Sequence, residues 1–271
     1  MNFSRWTEAF LKDLRTQGDS LADTHVHKMI QDKEISHIGE LFQTLNSNDD
    51  TPAQDHFPAV TEFCNQTGQL PANVDYARLK RAEKIFMRTA FPAALVLLTK
   101  SLPEGYAAPN LSIILNISKN LEREPYRRLL QVLQMLLNVC APDAFQKQGK
   151  AIITAQKIRL LHAGIRIIAN KKLPDYQSKF GTPVNHEDML ATLMAFSLLV
   201  IKGLEILNCA LSKEEAEDYF YLWRVYALLM GIHPEGEPEN MTFIPDNVDD
   251  AEDFYDKYAQ VHYTGPEQNP D

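Results

Sequence analysis

No stretch of this 271-residue chain alternates apolar and polar residues for the length of a strand, and that constrains the fold most. Apolar residues recur instead every three or four positions, in segments cut by proline, glycine or clustered charge. The pattern predicts an all-α protein. Helices are expected over Asn2–Thr16, Leu21–Lys33, Ile35–Leu45 and Phe57–Asn65, the last ending near Gly68. Pro71 and a charged stretch lead into a helix through Arg88; Pro92 then starts or kinks the apolar segment Ala93–Leu102. Beyond a break at Leu102–Tyr106, helices are predicted over Leu111–Leu121 and Tyr126–Val139, split by Arg123, Glu124 and Pro125. Asp143 reads as the N-cap of a long helix to about Asn170, followed by a loop, Leu173–Val184. Asn185 and Asp188 form a variant capping box for a helix to about Cys209. Ser212 and Glu215 form another for Lys213–Met230, which Gly231 stops.

Composition narrows the function. The formal net charge is −9 and no Lys/Arg-rich run appears, so a concentrated basic face for nucleic acid is lacking. Cys64, Cys140 and Cys209 are far apart, with no CxxC pair, which argues against a zinc knuckle or disulfide scaffold and fits a reducing cytoplasm. The charged, amphipathic N-terminus lacks the apolar centre of a signal peptide. The greasiest run, Met189–Ile201, is shorter than the ~20 residues that span a bilayer and reads as a buried helix, not an integral membrane segment. The acidic tail Pro234–Asp271 reads as a solvated arm or lid.

The most chemically specific segment is Gln156–Arg166, QKIRLLHAGIR. At about 100° per residue, Arg159 and Arg166 lie about 60° and 40° round the helix from His162, so all three can face one site. A neutral imidazole between two guanidinium groups on an apolar face suits an iron ligand accompanied by two carboxylates, as a haem presents. The plainer alternative is a core histidine with two snorkelling arginines, since Ile158, Leu161, Ile165 and Ala169 look like ordinary core. Other features point less far. Asp23–His27 (DTHVH) offers too few ligands for a metal and reads as a solvated turn or helix end. Glu34 and His37 form one ExxH, where a di-iron bundle needs two. His186, at a helix start, is a conceivable second ligand or base, although a capping-region role is the simpler one. Arg127 and Arg128 open the helix before that of His162, as pocket cations or as surface charge. There is no GxSxG, Walker loop or GxGxxG.

Three blocks in order resemble the family of MpaB-like oxygenases and rubber oxygenases (latex clearing proteins): LPANVDYARLKRAEKIFMRTAFPAALVLLTKSLPEGYA, QKIRLLHAGIR, and FGTPVNHEDMLATLMAFSLLVIKGLEILNCALSKEEAEDYFYLWRVYALLMGI. The resemblance covers roughly Leu70 to Ile232. It implies an all-helical fold with a globin-like core, extra N-terminal helices over 1–69, the haem-binding core over 70–232 and the acidic arm over 233–271. It implies one haem b with His162 as proximal iron ligand, Arg159 and Arg166 as propionate partners, and Arg128 as the distal arginine. Rubber oxygenases also carry a distal lysine and threonine; those positions hold Gln131 and Val132 here, and the catalytic carboxylate has no counterpart. The implied activity is O2-dependent oxidation or cleavage of a small hydrophobic, unsaturated substrate. Tyr106, just after the Pro/Gly break, reads either as a residue of the entrance or as a packing tyrosine. A haem-binding sensor or carrier without turnover, and a haem-free helical scaffold, are the competing expectations.

Overall fold

The computed structural model describes residues 4–52, 55–117 and 125–263. Every regular element among them is helical. The N-terminal third forms α1 (Glu8–Thr16), α2 (Ser20–Gln31), a 3-10 turn at Glu34–His37, α3 (Ile38–Thr44) and α4 (Pro58–Thr67). Thr7 and Asp19 cap α1 and α2 through their side chains. The middle holds α5 (Tyr76–Val96), a π-turn at Leu97–Ser101, α6 (Leu102–Gly105), α7 (Pro109–Asn116), α8 (Pro125–Cys140) and α9 (Ala151–Lys172). The last third holds α10 (Tyr176–Phe180), α11 (His186–Phe196), α12 (Leu198–Ile206), α13 (Lys213–Leu229) and α14 (Val248–His262). The expected end of the Leu111–Leu121 helix and the break at Arg123 and Glu124 lie outside the described residues.

The predicted caps at Asn185 and Ser212 are present, the second with both hydrogen bonds of a capping box. Gly231 ends α13 with φ +79°, a left-handed conformation that glycine adopts without strain. Three expectations change. Pro92 does not start a helix: it lies inside α5, which continues through it to Val96, with Ala93, Val96 and Leu97 buried in the core. Asp143 caps nothing: it has φ +61° in a chain of turns, and α9 begins at Ala151. The predicted single helix to Cys209 breaks at Ser197 into α11 and α12.

The broadest helix–helix contact joins α5 and α13. Gly203 lets α12 approach α5 so closely that a Cβ there would meet Val96 Cγ1 at 2.2 Å. Over its described residues, 234–263, the acidic tail is not a solvated arm. Phe254 and Tyr258 of α14 are fully buried in the main core, along with Phe243, Ile244 and N-terminal Trp6, Leu11 and Leu14. Amphipathic spacing within α14 turns its aromatic face inward and its acidic face outward. A second core cluster joins α2 and α4 to α9 through Val26, Met29, Phe63, Ile153, Leu160 and Ala163. Two helical stretches, Tyr76–Gly105 and His186–Ile206, are long and apolar enough to cross a membrane by length and composition; the second is mostly buried in the core.

Candidate functional site

Helix α9 divides its faces cleanly. Its inward face buries Gln156, Arg159, Leu160, Ala163, Arg166 and Ala169. A neighbouring stripe, Ile158, His162 and Ile165, is only half-buried, and Leu161 is 52 % exposed. Helix α8, which packs against α9, and helix α7 before it also carry half-buried apolar side chains. In α8, Leu129, Val132 and Leu133 are half-buried and Leu130 is exposed; in α7, Leu111, Ile113, Ile114 and Leu115 are half-buried. His162 therefore stands on an apolar surface that the described residues do not fully cover.

The two arginines do not share that surface. Arg159 is 4 % exposed and donates from Nε to Asp19 Oδ2 (2.6 Å) and from Nη2 to Asp19 Oδ1 (2.9 Å). Its Nη1 donates to the Leu229 carbonyl (3.3 Å), and its guanidinium lies over the Phe63 ring. Arg166, 3 % exposed, donates from Nε to Asp23 Oδ1 (2.7 Å) and reaches the carbonyls of Val184 and Asp19. Both guanidinium groups are thus held by carboxylates at the start of α2, its N-cap Asp19 and Asp23 in its first turn. Burial works against the Asp19 charge, but Arg159, and more weakly Arg166, hold its carboxyl below the usual range.

His162 is kept neutral. Burial first, then the cationic Arg166 and Arg128, depress its pKa to about 3, with Asp19 partly offsetting them. Its Nδ1 is shut off from solvent and has no hydrogen-bond partner among the described residues. Arg128 also acts on Tyr106, whose phenol burial pushes up and Arg128 pulls back. The field of Arg128 therefore reaches both His162 and Tyr106, three residues that the sequence analysis singled out. Arg127 is exposed.

No group of three or more His, Cys, Asp or Glu side chains among the described residues could hold a metal. A single neutral imidazole holds a metal firmly only when the metal brings its other ligands with it, as iron in a porphyrin does. The unpartnered buried nitrogen, the neutral ring and the half-covered apolar surroundings all fit such a group. The candidates of the N-terminal third have local roles. His25 is a buried helix residue, not a solvated turn, and bonds through Nδ1 to the Leu21 carbonyl (2.9 Å). His27 makes the same i−4 bond to Asp23. Buried Glu34 accepts from the Ala59 N–H at the start of α4 (3.2 Å), whereas His37 is exposed and reaches only Glu40. His186 is buried, neutral with a pKa lowered to about 4 by burial, and packed against Phe243. Its electrostatic neighbours are Asp19, His233 and the two arginines.

Sequence reasoning missed Asp19 and Asp23 as partners of the α9 arginines. Asp19 carried a helix-start signal, but nothing local tied it to a residue 140 positions away. It also missed the buried polar network at the start of α11. There Asp188 accepts from Asn110 Nδ2 (2.5 Å), Tyr258 Oη (3.1 Å) and Asn185 Nδ2 (2.9 Å), and burial raises its pKa to about 6.

The family described as "ER-bound oxygenase mpaB/B'/Rubber oxygenase, catalytic domain" matches residues 80–268. A curated relative, the rubber oxygenase of Streptomyces sp. (strain K30), is 24 % identical over 224 residues, covering 81 % of this chain and 54 % of the relative. The chain thus spans about half the length of that protein. A solved structure of a latex clearing protein in its closed state superposes with a TM-score of 0.79 at 20 % identity, covering 94 % of this chain and 67 % of the other. That likeness shows the shared all-helical fold. With more than half of its residues matched, the chain belongs to the family of ER-bound oxygenase mpaB/B' and rubber oxygenase catalytic domains.

Proposed function

We propose that this chain is a haem-b-dependent oxygenase acting with O2 on a small hydrophobic, unsaturated substrate, with His162 as the proximal iron ligand. The observation that carries the reading is the neutral, half-buried His162 ring, whose buried Nδ1 has no hydrogen-bond partner among the described residues, on a half-covered apolar face. Membership of an oxygenase family supports the reaction class. Haem supplies the redox chemistry with O2 that no side chain offers. His162 supplies an unprotonated nitrogen, because burial and two cations disfavour the imidazolium. Arg128 contributes a cation whose field reaches His162 and Tyr106, suited to stabilising negative charge that develops there. The half-buried side chains of α7 and α8 hold a greasy substrate and exclude water. Arg159 and Arg166, paired with Asp19 and Asp23, serve as supports of the His162 helix; propionates would have to displace carboxylates already bound.

A haem-binding carrier without turnover is favoured by Gln131 and Val132, which stand where rubber oxygenases have a lysine and a threonine. Two measurements separate the readings. Protein purified after growth with iron and a haem precursor is expected to show a Soret band that His162→Ala abolishes. Oxygen uptake with unsaturated lipids or terpenoids then distinguishes oxygenase from carrier. A His162→Ala variant with a parental spectrum and parental oxygen uptake would sink the proposal.

A further inference from the structure

We infer that Asp19 and Asp23 are positioning residues for His162, and that α2 is the clamp that fixes its helix. The inference rests on His162 being the haem ligand. Both carboxylates lie outside residues 80–268, the stretch matched to the oxygenase family. They nevertheless hold the arginines three residues before and four residues after the imidazole.

The geometry suits a clamp. Arg159 and Arg166 lie seven residues apart, about 10 Å along the helix axis, with His162 between them. One anchor lets a helix swivel; two anchors on the same partner fix both its height and its rotation. The first is a bidentate, buried pair, the geometry in which guanidinium and carboxylate orient each other best. The second is single and partly open, since Asp23 is about one-third exposed. Apolar packing completes the grip: Leu160 and Ala163, flanking His162, sit in the same cluster as Ala22, Val26 and Met29 of α2. The arginines also bind the carbonyls of Leu229 and Val184, so the clamp ties α2 and α9 to the end of α13 and the start of α11. With the inward face locked, the His162 ring can present only along the half-covered stripe. The same carboxylates balance two buried cations that would otherwise act on the ligand uncompensated.

Asp19→Asn strips the partner from a buried cation and endangers folding, so Asp23→Asn carries the test. Arg166 keeps its two carbonyl partners in that variant. In the full chain, Asp23→Asn is expected to bind haem about tenfold more weakly and to shift the iron midpoint potential to a more positive value. Asp23→Glu restores both. In the haem-free protein, amide exchange over 158–166 speeds up in Asp23→Asn while exchange over 213–229 does not. Ser212→Ala, which weakens a remote helix cap, serves as a control that lowers stability without moving affinity or potential. A parent that binds haem, with Asp23→Asn at parental affinity, potential and exchange, overturns the clamp alone. A parent that takes up no haem overturns the ligand reading, and the positioning role with it.

Discussion

His162 and His186 are the residues whose chemistry the fold alters most usefully. Each is ordinarily half-protonated near pH 6.5, yet burial lowers the folded pKa to about 3 for His162 and about 4 for His186. The unfolded chain therefore binds more protons than the folded one from about pH 6.5 downward. The stability these neutral rings permit is complete above that pH and lost as pH falls, by about 1.4 kcal/mol per pH unit for each group. Asp188 has the opposite sign. Its folded pKa of about 6 lies above its ordinary 3.8, so its contribution favours the fold at low pH and is lost as pH rises between those values. Denaturant unfolding of the haem-free protein at a series of pH values should show a net loss of about 1.4 kcal/mol per unit from pH 6 to 4. Asp188→Asn should steepen that slope. A flat profile between pH 4 and 6 would contradict the burial of the two imidazoles.

At the scale of elements, several helix ends are completed from far away in the chain. The start of α9 has no capping side chain of its own. Asn48 Oδ1 accepts instead from the N–H groups of Ile152 and Ile153 (3.0 and 3.1 Å), and its Nδ2 donates to the carbonyls of Ala144 and Gln146. This one side chain satisfies orphan donors of the helix that bears His162 and pins the preceding turns. Asn48→Ala is expected to lower stability by about 1–2 kcal/mol, measured as a lower urea midpoint at unchanged slope. A midpoint within error of the parent would show the cap to be unimportant. Glu34 plays the same part at the start of α4. Such caps depend on chain reversals, which explains why Asp143, a plausible N-cap by local pattern, turned out to occupy a left-handed turn.

Across the whole molecule, both ends of the described chain close on the same core. Trp6 packs on Phe254 with centroids 4.9 Å apart and donates its indole N–H to Asp250 (2.8 Å). Arg15 pairs with buried Glu187, which also meets His262 of α14 (3.2 Å). The terminal helices thus cover α11, whose start carries the Asp188 network. Phe254→Ala is expected to cost about 3–5 kcal/mol, seen as a large drop in thermal midpoint. Glu252→Ala, which removes an exposed pair with Lys202, should cost less than about 1 kcal/mol. Comparable losses in the two variants would mean that α14 is held by its acidic face.

Much of this could be read along the chain. Helical periodicity gave the all-α class, the caps at Asn185 and Ser212, and the stop at Gly231, because these depend on residues within a few positions of one another. The spacing around His162 likewise singled out α9 as the helix on which the proposed function rests. Which way its side chains point was decided only by packing. Helical angles of about 60° and 40° left the arginines free to join the imidazole; the burial of α9 against α2 and α4 took them inward to Asp19 and Asp23 and left His162 on the uncovered stripe. Tertiary contact also turned the acidic tail into a core helix, since net charge along a segment is silent about a buried aromatic face that recurs every third or fourth residue. Local pattern fixes what a segment can become; the partner across the interface selects which face is hidden, because burial free energy depends on surfaces that only the assembled chain brings together.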